Sequence, residues 1–185
     1  GADIRDGFML AVEAKGGPVT DIATGDLAAH LARATIQLVA DEVEDDPMVA
    51  DMLDLVERPS FTVTLTGLDQ FGGKKPRAIF GAVQPSAALM ELQAEHERMM
   101  QRIGLPAEGR RFTPHVTLAR LRDASVLEVA DYLSTRGGFP ALQFPVSRFV
   151  LYSSRASQGG GPYVIEADYP LRSRAGLESR YARAI

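Results

Sequence analysis

The 185-residue chain has no cysteine and no tryptophan, and aromatic residues make up only 7% of it. Without cysteine, neither disulfides nor thiolate metal sites are available, which is consistent with a reducing compartment. The apolar run at residues 8–12 is too short to span a bilayer, and no basic leader precedes it. We therefore expect a cytoplasmic protein that has no membrane segment.

The chain also lacks an excess of positive charge, because its formal net charge is −4 and its isoelectric point is about 5.4. A protein of this charge does not coat nucleic acid through its overall field, so any anionic ligand must be met by local basic residues. With 45% hydrophobic residues, the chain has enough apolar material for one sizeable core or two small ones. We expect one compact unit that is a monomer.

Apolar periodicity predicts strands and helices in mixed order. Strands are predicted at residues 61–65, 77–83, 144–152 and 163–169, which alternate or are rich in β-branched and aromatic residues. Helices are predicted from Pro47, with Asp46 as its N-cap, at residues 86–103, and from a capping box at Ser125. Hairpins mixed with helices indicate an α+β fold rather than a doubly wound parallel sheet.

The N-terminal quarter supports two interpretations. Leu27, Leu31, Ala34 and Leu38 have the spacing of an amphipathic helix that begins near Asp26. The stretch 34–39 is equally compatible with a short strand, and the pattern alone does not decide between them.

The most informative stretch runs from Thr113 to Arg120, where His115 and Thr117 stand two positions apart on an apolar, β-type run. Alternation along a strand makes these two side chains project together, while Val116 and Leu118 point into the core. A histidine can act as acid or base near neutrality, and a threonine hydroxyl can orient it or bind a phosphoryl oxygen. Alone, a His-x-Thr pair is a weak signal that an ordinary surface strand also produces.

Further landmarks surround this motif in a fixed order. They are Gly67-Leu68, the segment 71–77 (Phe-Gly-Gly-Lys-Lys-Pro-Arg), Gly104-Leu105-Pro106, the segment 112–120, the segment 151–154 (Leu-Tyr-Ser-Ser) and Gly161-Pro162-Tyr163. Together, residues 61–171 resemble the RNA 2',3'-cyclic phosphodiesterases. These are bacterial proteins once called 2'-5' RNA ligases, and they fall within the 2H phosphoesterase superfamily.

The resemblance implies a bilobal α+β fold of two antiparallel sheets, with helices packed outside and a central cleft. It would make residues 1–172 a single bilobal domain, followed by a tail at 173–185 that we interpret as a peripheral helix. Each lobe of such a fold contributes one His-x-Thr strand, and the pair opens a cyclic phosphate to a 2'-phosphomonoester without a metal or other cofactor. The resemblance implies that His115 accepts the proton of the attacking water, with Thr117 beside it.

The chain departs from the family at the first motif, where Arg33-Ala34-Thr35 stands and Arg33 occupies the histidine's place. Arginine stays protonated, so it can bind a phosphate but can scarcely act as a general acid. If the motif has decayed, Thr35 keeps its catalytic position and Arg33 becomes a substrate-binding residue. If the helix interpretation holds, both are ordinary helical positions. His30 could replace the missing histidine of the first motif, but its spacing from Thr35 does not put both residues on one face of a strand. His96 is predicted to be structural.

Three further basic residues are candidates for substrate binding. Arg120 trails the second motif as in the family, but strict alternation puts it on the Val116 face, so it reaches the site only if the strand ends or bends. Lys75 and Arg77 make either a solvated hairpin tip or a basic rim for RNA phosphates.

These observations favour a metal-independent hydrolase acting on RNA 2',3'-cyclic phosphate ends, weakened by the loss of the first histidine. The main alternative is a binding module for RNA ends or nucleotides that no longer turns over. A third hypothesis is a 2'-5' RNA ligase that catalyses the reverse reaction, and no residue of the sequence supports it independently.

Overall fold

A computed structural model describes residues 8–13, 35–37, 47–153 and 164–172, and in the first two of these segments only the backbone is described. In chain order, the elements within these residues are β1 Phe8–Glu13, β2 Thr35–Gln37, α1 Pro47–Asp54, β3 Phe61–Phe71, β4 Ala78–Val83, α2 Ala87–Arg102, β5 His115–Arg120, α3 Val126–Arg136, β6 Leu142–Val146, β7 Arg148–Ser153 and β8 Val164–Pro170.

The strands form two antiparallel sheets of four strands each. The first sheet has the order β2-β1-β7-β8, and the second has the order β5-β4-β3-β6. All the pairings between neighbouring strands are antiparallel. Strand hairpins therefore alternate with helices, and the α+β fold predicted from the sequence is confirmed. None of the helices in the described part of the chain is long and apolar enough to cross a membrane.

The predicted helices have local causes that the structure makes visible. The first helix begins at Pro47, a residue whose ring presets the helical φ angle and whose missing N–H costs nothing in the first turn. Ser86 caps α2 by accepting a hydrogen bond from the backbone N–H of Leu89 at 3.3 Å, and Ser125 caps α3 through Leu127 at 3.2 Å. After α2, Gly104 takes a φ of +97°, which reverses the chain.

The core lies where α1 and α2 pack against both sheets. Leu89, Leu92 and Met99 of α2 are buried together with Val116 of the second sheet and Phe149 of the first. These apolar residues form the buried face of α2, which lies within the helix predicted at residues 86–103. His96 lies on the same helix, is 0% exposed and meets the ring of Phe149 edge-on, with 4.5 Å between ring centroids.

The prediction of one strand at residues 144–152 was wrong, because the chain changes sheets at Ser147. β6 pairs with β3 in the second sheet, whereas β7 pairs with β1 and β8 in the first. The two strands also differ in burial. In β6, Phe144 and Val146 alternate with exposed neighbours, whereas in β7 residues 149–152 are all buried. Four successive buried residues mark a strand that is covered on both faces.

The two interpretations of the N-terminal quarter are resolved over three residues. Thr35–Gln37 is a strand that pairs with β1, with Thr35 opposite Glu13 and Gln37 opposite Ala11. The helix interpretation is therefore wrong at Thr35–Gln37. The rest of that stretch, including His30 and Arg33, and the predicted C-terminal tail lie outside the described residues.

Candidate active site

The segment Thr113-Pro114-His115 begins β5 and sets the position of its first side chain. A residue before proline is disfavoured in the helical region, so Thr113 enters the strand in an extended conformation. Pro114 is buried, and its carbonyl accepts a hydrogen bond from the N–H of Val83 at 3.3 Å. β5 then pairs with β4, with His115 opposite Ala82 and Thr117 opposite Phe80. Pairing with β4 therefore fixes the backbone positions of His115 and Thr117, beginning at the first residue of β5.

The imidazole of His115 is anchored through its Nδ1, and its Nε2 is available to accept a hydrogen bond or a proton. Its Nδ1 lies 2.7 Å from the carbonyl oxygen of Thr113. A carbonyl only accepts hydrogen bonds, so Nδ1 must carry the proton in this contact. In the neutral ring, Nε2 then has a free lone pair and can accept a proton. The Thr113 carbonyl thus selects the tautomer that a general base requires.

Two phenylalanine rings fix the plane of this imidazole. Phe71 and Phe80 stack on each other with ring centroids 4.1 Å apart. His115 meets both edge-on, at 4.8 Å from Phe71 and 5.4 Å from Phe80. Such edge-to-face contacts restrict the ring to one orientation. Phe80 is buried but does not belong to the main core cluster. Its ring instead packs against Phe71 and His115 on the face of the sheet that carries His115.

A β-bulge at Leu118 decides where Arg120 points. Along the β4 and β5 pairing, Phe80 is opposite Thr117 and Ile79 is opposite Ala119, which leaves Leu118 without a partner. Directly opposed residues share a face of a sheet, and one extra residue shifts the alternation by one position. Because Ala78 is opposite Arg120, Arg120 lies on the face of His115 and Thr117. Strict alternation would have put it on the other face.

His115 and Arg120 line one cleft, which has a volume of about 540 Å³. Its walls come from the β3–β4 hairpin, from Gln93 and Glu97 of α2, and from the segment 108–113. Thr117 is exposed on the same face of the sheet but does not line this cleft. The described residues therefore place the imidazole of His115 and a cationic side chain in one concave site.

The hairpin that closes one wall depends on a glycine in its turn. Gly72 has a φ of +111°, and a side chain at this position would clash with the carbonyl oxygen of Lys75. Only glycine fits this turn, which the Lys75 N–H closes onto the Gly72 carbonyl at 2.9 Å. Arg77 lines the cleft from this hairpin, and Lys75 does not. Both side chains are exposed.

The two acidic residues of the cleft are already engaged. Glu108 forms an ion pair with Arg110, and the hydrogen bonds from Arg110 lower the pKa of the Glu108 carboxyl. Glu97 accepts hydrogen bonds from the backbone N–H of Glu108 at 2.8 Å and from Gln101 at 3.3 Å. These contacts hold residues 108–110 against α2, and they leave the cleft with more cations than free carboxylates.

The strand that begins at Thr35 lies beside the strand that carries His115 and Thr117. β2 and β5 are the end strands of their sheets, and they contact each other. Thr35 begins β2, so the backbone of Thr35 lies near the strand that carries His115 and Thr117. Arg33, two residues earlier, is outside the described residues, as is His30. Among the residues that the structure does describe, no group of three His, Asp or Glu side chains is placed to hold a metal ion.

Sequence reasoning assigned no site role to Phe80, Arg111 or the carbonyl of Thr113. Phe80 meets His115 only through strand register, and no sequence pattern reveals that register. The Thr113 carbonyl is a backbone group, which composition does not reveal. Arg111 had a usable signal, because the Arg110-Arg111 pair stands just before the motif in an acidic chain.

Comparison with known proteins agrees with this architecture. The family model described as the 2'-5' RNA ligase superfamily matches residues 21–158, more than half of the chain. The chain therefore belongs to the 2'-5' RNA ligase superfamily. A search of curated protein sequences found no match.

Several solved structures are similar in fold. E. coli LigT complexed with 3'-AMP is 22% identical, with a TM-score of 0.62, and the match covers 90% of this chain and 98% of that one. A structure described as a phosphoesterase is 20% identical, with a TM-score of 0.65 and coverage of 91% and 99%. The protein TT0787 of Thermus thermophilus is 19% identical, with a TM-score of 0.63 and coverage of 91% and 99%. At these identities the likeness establishes the fold.

Proposed function

We propose that this protein hydrolyses RNA 2',3'-cyclic phosphate ends to 2'-phosphomonoesters without a metal ion. The observation that carries the proposal is the anchored imidazole of His115. Its Nδ1 is held at 2.7 Å by the Thr113 carbonyl, and its Nε2 is left as a base in a cleft that Arg120 also lines. Membership of the superfamily supports the choice of a phosphoester as substrate.

The reaction needs three things from the site. Nε2 of His115 takes a proton from water as the water oxygen attacks phosphorus. Arg120 binds the non-bridging oxygens, with Thr117 as a hydroxyl donor on the same face of the sheet, and these contacts offset the charge that develops on them. The P–O3' bond breaks opposite the incoming oxygen, so the proton for O3' must come from the other side of the phosphate.

The β2 side of the site is the place for that proton donor. Our proposal assigns the proton donor to the sequence position two residues before Thr35, because β2, which begins at Thr35, contacts β5. The sequence has Arg33 there, which adds positive charge but keeps its proton at neutral pH. We therefore propose a hydrolase that binds phosphate well and protonates its leaving group poorly, so that turnover is slow.

Structures of a relative agree with a site for nucleotide phosphates. E. coli LigT has been solved with 3'-AMP, with ATP, with NADP+ and with phosphate. For this chain, such ligands support a cleft that recognises phosphate groups on nucleosides. The arginines of the cleft provide the bidentate donors that such groups prefer.

The proposal is tested by incubating the protein with a short RNA that ends in a 2',3'-cyclic phosphate and following the phosphorus by ³¹P NMR. We expect the cyclic diester signal to be replaced by that of a 2'-phosphomonoester. A 3'-phosphomonoester would mean that the O2' bond breaks instead, and it would contradict the assignment of the leaving group. A 2'-5' linked product from two RNA ends would favour ligation.

A second candidate function is a binding module for RNA ends, and the arginine in place of the first histidine favours it. In that case the cyclic phosphate is bound but stays intact. The same sample distinguishes the two functions, because fluorescence anisotropy of a labelled RNA reports binding while the NMR signal reports turnover. Binding with an unchanged cyclic phosphate after prolonged incubation would favour the module over the hydrolase.

A further inference from the structure

The cleft is positively charged in a protein that is negatively charged as a whole. The chain carries a formal charge of −4, whereas four arginines and two glutamates line the cleft. Both glutamates are engaged, with Glu108 held by Arg110 and Glu97 by the backbone of residue 108. A local field whose sign opposes that of the whole molecule indicates that the site binds anions.

Three of these arginines have no acidic partner in the described part of the chain. Arg77, Arg111 and Arg120 are exposed, and no carboxylate of the described residues lies within ion-pair distance of them. The backbones of Arg77 and Arg120 lie close to each other, because the Arg77 carbonyl accepts a hydrogen bond at 2.8 Å from the N–H of Leu121, the residue after Arg120. Like charges that line one cleft repel each other, and bound anions offset this repulsion.

One cyclic phosphate does not account for all three cations. The ring is a phosphodiester with a single negative charge, and Arg120 on the His115 face is enough to bind it. Arg77 on the hairpin and Arg111 on the segment before the motif line the same cleft, which has a volume of about 540 Å³. That volume has room for more than a terminal phosphate group.

We infer that Arg77 and Arg111 form a second phosphate subsite beside the catalytic one. Its ligand is the phosphate on the 5' oxygen of the terminal nucleoside. This inference rests on the proposed function for the position of the cyclic phosphate. It predicts that the enzyme prefers RNA chains to mononucleotides, because an RNA chain supplies this second phosphate as its next phosphodiester.

The test compares three substrates: adenosine 2',3'-cyclic phosphate, the same nucleotide with a 5'-phosphate, and a trinucleotide with the same 3' end. We expect kcat/KM to be higher for the second and third than for the first. Equal gains would identify any 5'-phosphate as the ligand, and a gain for the trinucleotide alone would identify the RNA chain. No gain for either would overturn the inference.

The residues are tested with Arg77→Ala and Arg111→Ala, and Arg98→Ala serves as a matched control. Arg98 is an exposed arginine of α2 that does not line the cleft. In the two test variants we expect the ratio of kcat/KM for trinucleotide over mononucleotide to fall about tenfold, the effect of losing a charge-assisted hydrogen bond. Arg111→Lys keeps the positive charge but loses the bidentate guanidinium group, so its ratio should lie between those of the wild type and Arg111→Ala. A ratio that stays at the wild-type value in both test variants would overturn the inference.

A separate measurement keeps this inference distinct from the proposed hydrolysis. If the wild-type protein turns over none of the three substrates, the proposed function fails, but the subsite is still tested by anisotropy with a fluorescein-labelled RNA trinucleotide that ends in a 3'-phosphate. We expect weaker binding by Arg111→Ala than by Arg98→Ala, and a salt dependence of log Kd that is shallower by about one. Equal affinities and equal salt slopes would reject the subsite.

Discussion

Arg120 lies on the same face of the second sheet as His115, although five positions separate them and strict alternation would place them on opposite faces. The bulge at Leu118 makes the difference, because it adds one residue between the pairs Phe80 with Thr117 and Ile79 with Ala119. A guanidinium group and an imidazole are thereby presented to the same cleft from a single short strand.

This relationship predicts the effect of removing the Arg120 guanidinium. Arg120→Ala should raise KM for a 2',3'-cyclic phosphate RNA and lower kcat/KM by about ten- to a hundredfold, since a charge-assisted contact to phosphate is lost. The matched control is Arg122→Ala, which removes an exposed arginine that does not line the cleft. Equal kinetic effects of the two substitutions would contradict a specific role for Arg120.

Removing the imidazole of His115 should abolish most of the activity. For His115→Ala we expect a fall in kcat of about a hundred- to ten-thousandfold, the usual contribution of a positioned general base. His115→Asn is the sharper variant, because its amide can still donate to the Thr113 carbonyl but offers no base at the position of Nε2. Both variants should therefore be slow. Hydrolysis at the wild-type rate by either one would exclude His115 as the base.

Arg33→His tests whether the first motif has lost its acid. If Arg33 stands opposite His115 across the site, a histidine there provides a group that gives its proton to the leaving oxygen, and kcat should rise. The size of the rise depends on positioning, since a misplacement of about 1 Å costs roughly a hundredfold. The control is Arg33→Ala, which removes the positive charge without adding an acid. If Arg33→His is no faster than Arg33→Ala, the hypothesis that position 33 has lost a general acid is wrong.

Activity should not depend on a divalent metal ion. The proposed step uses a histidine base and arginine charge, and the chain has no cysteine and only three histidines. We expect the same kcat before and after exhaustive treatment with EDTA. Loss of activity that Mg²⁺ or Mn²⁺ restores, measured on the same preparation, would refute the acid–base mechanism in this form.

The buried imidazole of His96 predicts a pH dependence of stability. Neither ring nitrogen has a hydrogen-bond partner among the described residues, and burial lowers the pKa of His96 from 6.5 to about 3, with a smaller contribution from the charge of Arg58. The unfolded chain therefore binds this proton more readily than the folded one. Stability from this source is fully present above pH 6.5 and is lost as the pH falls towards about 3.

The size of this effect can be measured by urea unfolding at pH 8 and at pH 5. From His96 alone we expect the free energy of unfolding to be about 2 kcal/mol smaller at the lower pH. His96→Leu replaces the unpartnered ring with an apolar side chain and should remove that difference. His115→Ala, which removes a partly exposed histidine, should retain it. An unchanged difference in the leucine variant would show that other groups cause the pH dependence.

Much of the secondary structure was predictable because its causes are local. Ser86 and Ser125 cap α2 and α3 through bonds to residues two or three positions away. The motif strand at His115 was likewise recognised from its own residues and from neighbouring landmarks. At the level of the superfamily, the family likeness that those landmarks indicate agrees with the family match.

Other features depended on partners that are distant in the chain. The run at 144–152 was predicted as one strand, yet it divides at Ser147 because β6 and β7 pair in different sheets. Thr35–Gln37 was compatible with helix or strand until its pairing with β1 decided it. Sequence periodicity reports which side chains are apolar, and it does not report which strand will supply the hydrogen bonds.

The sequence by itself determined the α+β class, the helices of the described residues, the capping serine at Ser125, the family likeness and the identity of His115 and Thr117 as the motif pair. Tertiary structure alone decided which face Arg120 occupies and that Arg77 and Arg111 share its cleft. The physical reason is the range of the interactions. Caps and turns are closed by bonds across a few residues. The bulge depends on strand register, and the shared cleft depends on packing between segments far apart in the chain.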